Sequence, residues 1–243
     1  MNTDHIVSSF DADLNRIESL VLEMGGLVEQ QLLTCTKALK LGDRSLAKDV
    51  IRNDAKINAL EAEVNQMSIE LLALRQPMAS DLRTVVMTLK IANHLERVGD
   101  YIKNMARRTN TITKADAFIG SVSTLTRMSA KVQVMINDAL DAYNRRDPEA
   151  AETVRGDDED VDQMHNGLFR ELLTYMMEDT RNISGCMHLL FIAKNIERMG
   201  DHAAEIAGET VYLVTGEWPT DKRVKGDRTS RMIFTPEELG EAE

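Results

Sequence analysis

The sequence predicts an all-α protein built as two tandem, similar antiparallel three-helix bundles. Three observations predict it. Apolar residues recur every three or four positions along most of the chain, the signature of helices with one buried face. Only four Pro and 13 Gly punctuate 243 residues, too few for the many turns of a β protein. One helical phrase also occurs twice. It reads Ile91-Ala92-Asn93-His94-Leu95-Glu96-Arg97-Val98-Gly99-Asp100, and returns 101 residues on (Glu96 to Glu197, Asp100 to Asp201) as Ile192-Ala193-Lys194-Asn195-Ile196-Glu197-Arg198-Met199-Gly200-Asp201. A repeat of about a hundred residues is a duplicated domain, not a short solenoid unit.

The first helix carries the stripe Leu14, Ile17, Val21, Met24, Val28, Cys35 and Ala38, interrupted by Gln31, and stops at Gly42-Asp43, a helix-terminating pair. A second stripe runs through Leu46, Val50, Ile57, Leu60, Val64, Met67, Leu71 and Leu74 until Pro77 breaks it. Ser80 or Asp81 can cap the third helix, which carries Leu82, Val85, Leu89, Leu95, Val98, Ile102 and Met105. Thr109 to Thr113 reads as a polar connector. Leu125, Met128, Val132, Met135, Ala139 and Ala142 line the fourth helix. Asp147-Pro148 starts the fifth, with Asp as cap and Pro at the first helical position, and Val154, Val161, Met164, Leu168, Leu172 and Tyr175 form its inner face. A polar turn from Glu178 to Asn182 precedes the sixth helix, which reaches about Val214 and ends at Gly216. The organisation is a first repeat over 1–110, a second over 111–216, and a polar tail over 217–243 read as flexible. Three stripes per repeat can bury one another, and spacing near 3.5 residues predicts shallow left-handed packing.

Composition narrows the function. Aromatics make up 4% of the chain, which suits packed helices better than strands. The formal net charge is −11, which disfavours nucleic acid and anionic lipid and is compatible with cation binding. Cys35 and Cys186 sit in apolar helical stretches and read as reduced core residues. No basic-then-apolar leader opens the sequence, and no apolar stretch is long enough to span a membrane. The expected location is cytoplasmic, without membrane insertion.

The repeated phrase puts two acids one turn apart. Relative to the core direction set by Leu95, Val98 and Ile102, the row Glu96, Asp100 and Asn104 lies roughly 140–180° around the helix, so it is expected to face solvent. Glu197, Asp201 and Glu205 form the same row in the second copy. Gly99 and Gly200 lie beside these rows and leave room for another group. On the middle helix of each repeat, Asp54 with Asn58 and Asp158 with Asp162 are also four apart, positioned to face the rows. Two like charges at this spacing cost about 0.2–0.5 kcal/mol on an exposed helix, so a cation is the expected compensation. Oxygen-rich clusters suit magnesium, calcium or manganese, and iron where carboxylates bridge several ions. Arg97, Arg198 and Lys103 offer a blander answer, ordinary surface ion pairs. The joint recurrence of both acids, the Arg and the Gly favours a metal site. His94, His188 and His202 have no triad partner at recognisable spacing. Glu-x-x-His pairs, phosphate loops, nucleophile elbows and EF-hand loops are missing from the sequence, so the chain is not expected to be an enzyme.

Leu95-Glu96-Arg97-Val98-Gly99-Asp100 and Ile196-Glu197-Arg198-Met199-Gly200-Asp201 resemble the paired Glu/Asp-x-x-x-Asp motifs of the PhoU family of bacterial phosphate-uptake regulators. Gln76-Pro77-Met78-Ala79-Ser80-Asp81-Leu82-Arg83 resembles the turn before that family's third helix. The resemblance covers residues 5 to 216. It implies a PhoU-like fold of two three-helix bundles and metal ions of open identity (iron, zinc, manganese, magnesium or calcium). Carried over by position, the ligands are Glu96, Asp100, Glu197 and Asp201, joined by Asp158, Asp162 and Asp54, with Asn104 and Glu205 extending the rows. Asn58 replaces an acid, and Glu205 stands where the first copy has Asn104, so the second face is expected to be richer in charge. The resemblance also implies a homodimer that negatively regulates phosphate uptake and represses the phosphate-starvation regulon indirectly. Its implied partners are a phosphate ABC transporter ATPase subunit and a sensor histidine kinase. Two rival readings remain open, a metal-dependent phosphohydrolase with a multinuclear carboxylate site and a metal-free helical adaptor.

Overall fold

The computed structural model describes residues 3–112, 119–220, 226–227 and 229. Six helices follow one another: α1 (Thr3–Leu41), α2 (Arg44–Arg75), α3 (Ser80–Thr111), α4 (Ile119–Arg145), α5 (Pro148–Glu178) and α6 (Ile183–Thr215), with one 3-10 turn (Thr180–Asn182) before the last. Helices α1 to α3 pack as one three-helix bundle and α4 to α6 as a second.

The helix ends follow local chemistry. Gly42 adopts φ +63° and closes α1, and the Asp43 carboxylate accepts the N–H groups of Ser45 and Leu46 at 2.8 and 3.1 Å. Asp147 repeats that cap on α5, accepting from Glu149 and Ala150 at 3.0 Å each. Gly216, at φ +78°, ends α6 by donating its N–H to the Tyr212 carbonyl. The start of α3 departs from expectation. Ala79 holds the cap position at φ +51° without a side-chain cap, and Ser80 and Asp81 already lie inside the first turn. Gln76 in the left-handed region, followed by Pro77, brings the chain round so that Asp81 N–H reaches the Met78 carbonyl at 3.2 Å.

Thr109 to Thr111 continue α3 rather than forming a connector, and Thr113 lies outside the described residues. The Thr109 and Thr111 hydroxyls donate to the Met105 and Arg107 carbonyls one turn back, at 3.0 Å each. That internal bonding lets threonines stay helical.

Most of the stripes are buried as expected, including Ile17, Val28, Ile57, Leu95, Ile102, Met128, Val161 and Leu172. Leu74 and Leu82 are exposed instead, because they flank the α2–α3 turn at the bundle's end. Cys35 and Cys186 are buried free thiols, and burial pushes the Cys35 thiol up to about 12.

The bundles meet through like helices. Helix α3 packs on α6 and α1 on α4. Both pairs run antiparallel: Lys90 meets Glu209 and Arg108 meets Phe191, while Glu18 meets Arg146 and Glu29 meets Asn137. The repeats are therefore related by a pseudo-two-fold axis. A Cβ at Gly25 would overlap the Leu140 side chain, which shows how closely α1 and α4 approach. Tyr143 and Thr88 hydrogen bond at 2.9 Å across the same junction. One continuous apolar core results, and it surrounds α3 and α6 on more than one side. Part of the tail is docked: Trp218 stacks on Tyr212 with centroids 4.2 Å apart, and Gly226 and Asp227 lie against α5 and α6.

Candidate acidic seams and the family they define

The acids gather in two places, the seam between α2 and α3 and the seam between α5 and α6. In the first, Asp54 is 3% exposed and faces the third helix as its spacing predicts. The Lys103 ammonium sits 2.7 Å from Asp54 Oδ2 and 3.3 Å from Asp100 Oδ1. Those two carboxylates hold the ammonium above its ordinary pKa despite partial burial. Burial raises the pKa of Glu96, with Asp100, Glu61 and Asp54 adding to it and Arg97 opposing. Glu61 thus belongs to this cluster. Asn104 accepts from Arg107 at 3.4 Å.

In the second seam, Asp158, Asp162 and Glu197 are 1%, 1% and 4% exposed. Asp201 is half-buried and Glu205 exposed. Lys194 Nζ lies 2.9 Å from Glu197 Oε2 and 2.6 Å from Asp227 Oδ2. Gly226 N–H donates to Asp162 Oδ2 at 2.6 Å, and Asn166 donates to the Gly226 carbonyl at 2.7 Å. Buried His165 places Nδ1 3.5 Å from Asp227 Oδ1. Burial raises the Glu197 pKa, Asp227 and Asp162 add to it, and Lys194 opposes. Burial works against the Asp227 anion. Lys194 and the Thr229 N–H and hydroxyl outweigh that and hold it well below the carboxylate range. His165 is pushed down by burial.

This placement corrects one expectation. Apart from Glu205, which is exposed as expected, the acid rows do not stand in bulk water: Glu96, Asp100 and Asp201 are partly buried in seams between helices, and Glu197 is nearly fully enclosed. A helical wheel drawn from one core direction sees only the bundle's own interior. The middle helices instead bring Asp54, Asp158 and Asp162 against the rows, and Asp227 closes over the second seam, so that side is not open solvent. The glycines do what their spacing suggests. A Cβ on Gly200 would sit 3.1 Å from Asp158 Oδ1, and one on Gly99 would sit 3.1 Å from Ile57 Cδ1 and 3.8 Å from Asp54 Oδ1. Each glycine admits a side chain of the middle helix.

Among the described residues, no three His, Cys, Asp or Glu groups converge as a ready metal cage. In each seam a lysine ammonium lies among the carboxylates. The donor set still suits a hard ion. All the repeat-borne donors are oxygens, and Asp54 Oδ1 and Asp162 Oδ1 are buried without hydrogen-bond partners among the described residues. An ion would enter by taking the place of an ammonium.

Sequence reading missed Lys194, His165, Glu61 and the tail residues Gly226 and Asp227. Lys194 precedes Glu197 by three, and His165 follows Asp162 by three, spacings that share a helix face; both were legible. Asp227 carried no local signal. The histidines of the repeat pair with each other: His94 Nδ1 and His202 Nδ1 lie 2.8 Å apart, with Glu209 taking Lys90 at 3.0 Å beside them.

The arrangement defines a class of all-helical proteins in which two related bundles each bury an acidic row between the second and third helix. The PhoU domain family matches residues 21–109 and again residues 125–210. The phosphate-specific transport system accessory protein PhoU homolog of Rhizobium meliloti is 43% identical over 232 residues, spanning 96% of this chain and 98% of that relative. Its counterpart in Caulobacter vibrioides is 43% identical over 229 residues, spanning 94% and 100%. The crystal structure of PhoU from Pseudomonas aeruginosa has a TM-score of 0.80 at 38% identity, over 86% of this chain and all of that one. The phosphate transport system regulatory protein PhoU from Streptococcus pneumoniae gives 0.80 at 29% identity, over 86% and 99%. The chain belongs to the PhoU family.

Proposed function

We propose that this chain is a negative regulator of phosphate uptake and phosphate-starvation signalling. In this reading it acts in the cytoplasm as a homodimer, between a phosphate ABC transporter's ATPase subunit and a sensor histidine kinase. The observation that carries the reading is membership of the PhoU family over both repeats, with relatives named as accessory proteins of phosphate-specific transport covering nearly the whole chain. No described helix is long and apolar enough to cross a membrane, which suits docking onto membrane partners from one side. The role is read as accessory rather than catalytic, in keeping with the relatives named as transport accessory proteins.

The proposed metal residues are Asp54, Glu96 and Asp100 in the first seam, and Asp158, Asp162, Glu197 and Asp201 in the second. Asn104 and Glu205 stand at the ends of the rows. A bound divalent ion would supply a cross-link between helices stronger than the ammonium it replaces. The metal-free adaptor reading draws support from Lys103 and Lys194, which already neutralise the seams.

The test is genetic and biochemical together. In a strain lacking its own gene, the wild-type chain is expected to repress a phosphate-starvation promoter in phosphate-rich medium and to co-purify with the transporter ATPase subunit. A variant carrying Glu96→Ala, Asp100→Ala, Glu197→Ala and Asp201→Ala is expected to lose repression. Failure of the folded wild type both to repress and to bind the ATPase subunit or kinase would refute the reading.

A further inference from the structure

Where the two bundles meet, α3 and α6 leave a groove of about 450 Å³, within the size range of small-molecule sites. Tyr101, Arg107 and Arg108 form one wall, and Phe191, Lys194 and Arg198 the other. The chemistry is opposite to that of the molecule as a whole. The chain carries 40 acids against 29 bases, yet four cations and no carboxylate line this groove.

The three guanidiniums lack acidic partners among the described residues. Arg107 donates to Asn104. Arg108 lies over the Phe191 ring, 4.0 Å from its centroid, and Arg198 faces the Tyr101 ring at 5.9 Å. Lys194 alone is paired, at the edge shared with the second acidic seam. Like charges gathered this closely repel one another, and an anion relieves the repulsion. Phe191 is 45% exposed, a large apolar surface beside those charges. Guanidinium forks match phosphate oxygens two at a time, and exposed aromatic and guanidinium planes stack planar bases.

We infer that this inter-bundle groove binds a nucleotide, with its phosphates on Arg107 and Arg198 and its base against Phe191 and Arg108. Such a ligand touches one helix from each repeat, so it would tie the two bundles together across their shared junction. The groove borders both seams, sharing Asn104 with the first and Lys194 with the second, but the inference rests neither on bound metal nor on the transport role.

Isothermal titration calorimetry of the full chain in EDTA, with ATP, AMP, adenosine, inorganic phosphate and an Asp/Glu-rich peptide as separate probes, tests it. ATP is expected to bind at one site per chain, more tightly than AMP, with phosphate and adenosine each weaker. Arg107→Gln with Arg198→Gln is expected to weaken ATP by at least about tenfold, the loss of charge-assisted hydrogen bonds. Phe191→Ala should weaken ATP and AMP while leaving phosphate unchanged. Unaltered melting curves would show that the variants are folded. Absence of saturable ATP binding at millimolar concentration would overturn the inference. So would equal ATP affinity in the double Arg variant, phosphate binding as tightly as ATP, or the acidic peptide outcompeting ATP.

Discussion

The α2/α3 seam and the α5/α6 seam inherit the same Glu-x-x-x-Asp phrase but neutralise it from opposite ends. In the first, Lys103 follows Asp100 by three residues and reaches across to Asp54. In the second, Lys194 precedes Glu197 by three and reaches out to Asp227 in the tail. Neither lysine belongs to the repeat, since Asn93 and Ala204 stand at the matching positions. The seams also differ in depth. The Glu96 side chain is 21% exposed and the Glu197 side chain 5%. The first seam has no described tail contact, whereas Gly226 and Asp227 cover the second. Both copies keep the acids and the glycine, and each supplies positive charge by its own route. Positive charge reaches the same place in both copies from different residues, as the proposed exchangeable cation site would require.

The contrast is most directly broken by deleting the cations. Lys103→Met leaves Asp54 buried beside Asp100 without a counter-ion, and is expected to destabilise the protein by about 3 kcal/mol. Lys194→Met should cost less, about 1–2 kcal/mol. The Lys194 side chain is 37% exposed against 21% for Lys103, so water reaches the place it vacates more readily. Urea denaturation at neutral pH measures both, and equal losses would remove the asymmetry.

The glycines give a smaller contrast. Gly200→Ala pushes a methyl against the buried Asp158 carboxylate, and about 1–2 kcal/mol is expected to be lost. Gly99→Ala meets the flexible Cδ1 of Ile57 at 3.1 Å, with Asp54 Oδ1 at an ordinary 3.8 Å, and the gain in helix propensity, up to about 1 kcal/mol, should leave it near neutral. Thermal melting of the two variants distinguishes these outcomes.

The smallest effect lies away from both seams and serves as their control. Burial, with Glu18 adding, pushes the Tyr143 phenol up to about 12. A raised folded pKa means that its stabilisation is fully present below the unfolded value near 10 and is lost as pH rises through the folded one. Tyr143→Phe, which loses the Thr88 hydrogen bond, should cost about 1 kcal/mol at pH 7. The wild-type advantage should vanish between pH 10 and pH 12, as read by denaturation at stepped pH. A cost that persists unchanged at high pH would contradict the burial of that hydroxyl.

Much of the fold was legible because it is local. Heptad spacing located all six helices, and the Asp43 and Asp147 caps follow from residues within three positions of the side chain. Periodicity, with the second and third helices taken as neighbours, set Asp54, Asp158 and Asp162 opposite the repeated acids, and the structure brings them there, whereas Asn58 is exposed. What escaped depends on distant packing. The burial of Glu197 follows from α5 and the returning Asp227 closing over it, which no single-helix wheel contains. Asp227 reaches the second seam from beyond the end of α6 with no periodic pattern to mark it, and Leu74 is exposed because its bundle ends there. The groove beside Phe191 needs both repeats in place before it exists.

The central claim to test is that the buried acids accept metal in place of lysine. Protein freed of metal, equilibrated with manganese and passed through a desalting column, can be analysed by inductively coupled plasma mass spectrometry. Wild type is expected to retain manganese. Glu96→Ala with Asp100→Ala should lose the share of the first seam, and Glu197→Ala with Asp201→Ala that of the second. Wild-type protein that retains no metal, or retention unchanged in both double variants, would contradict it.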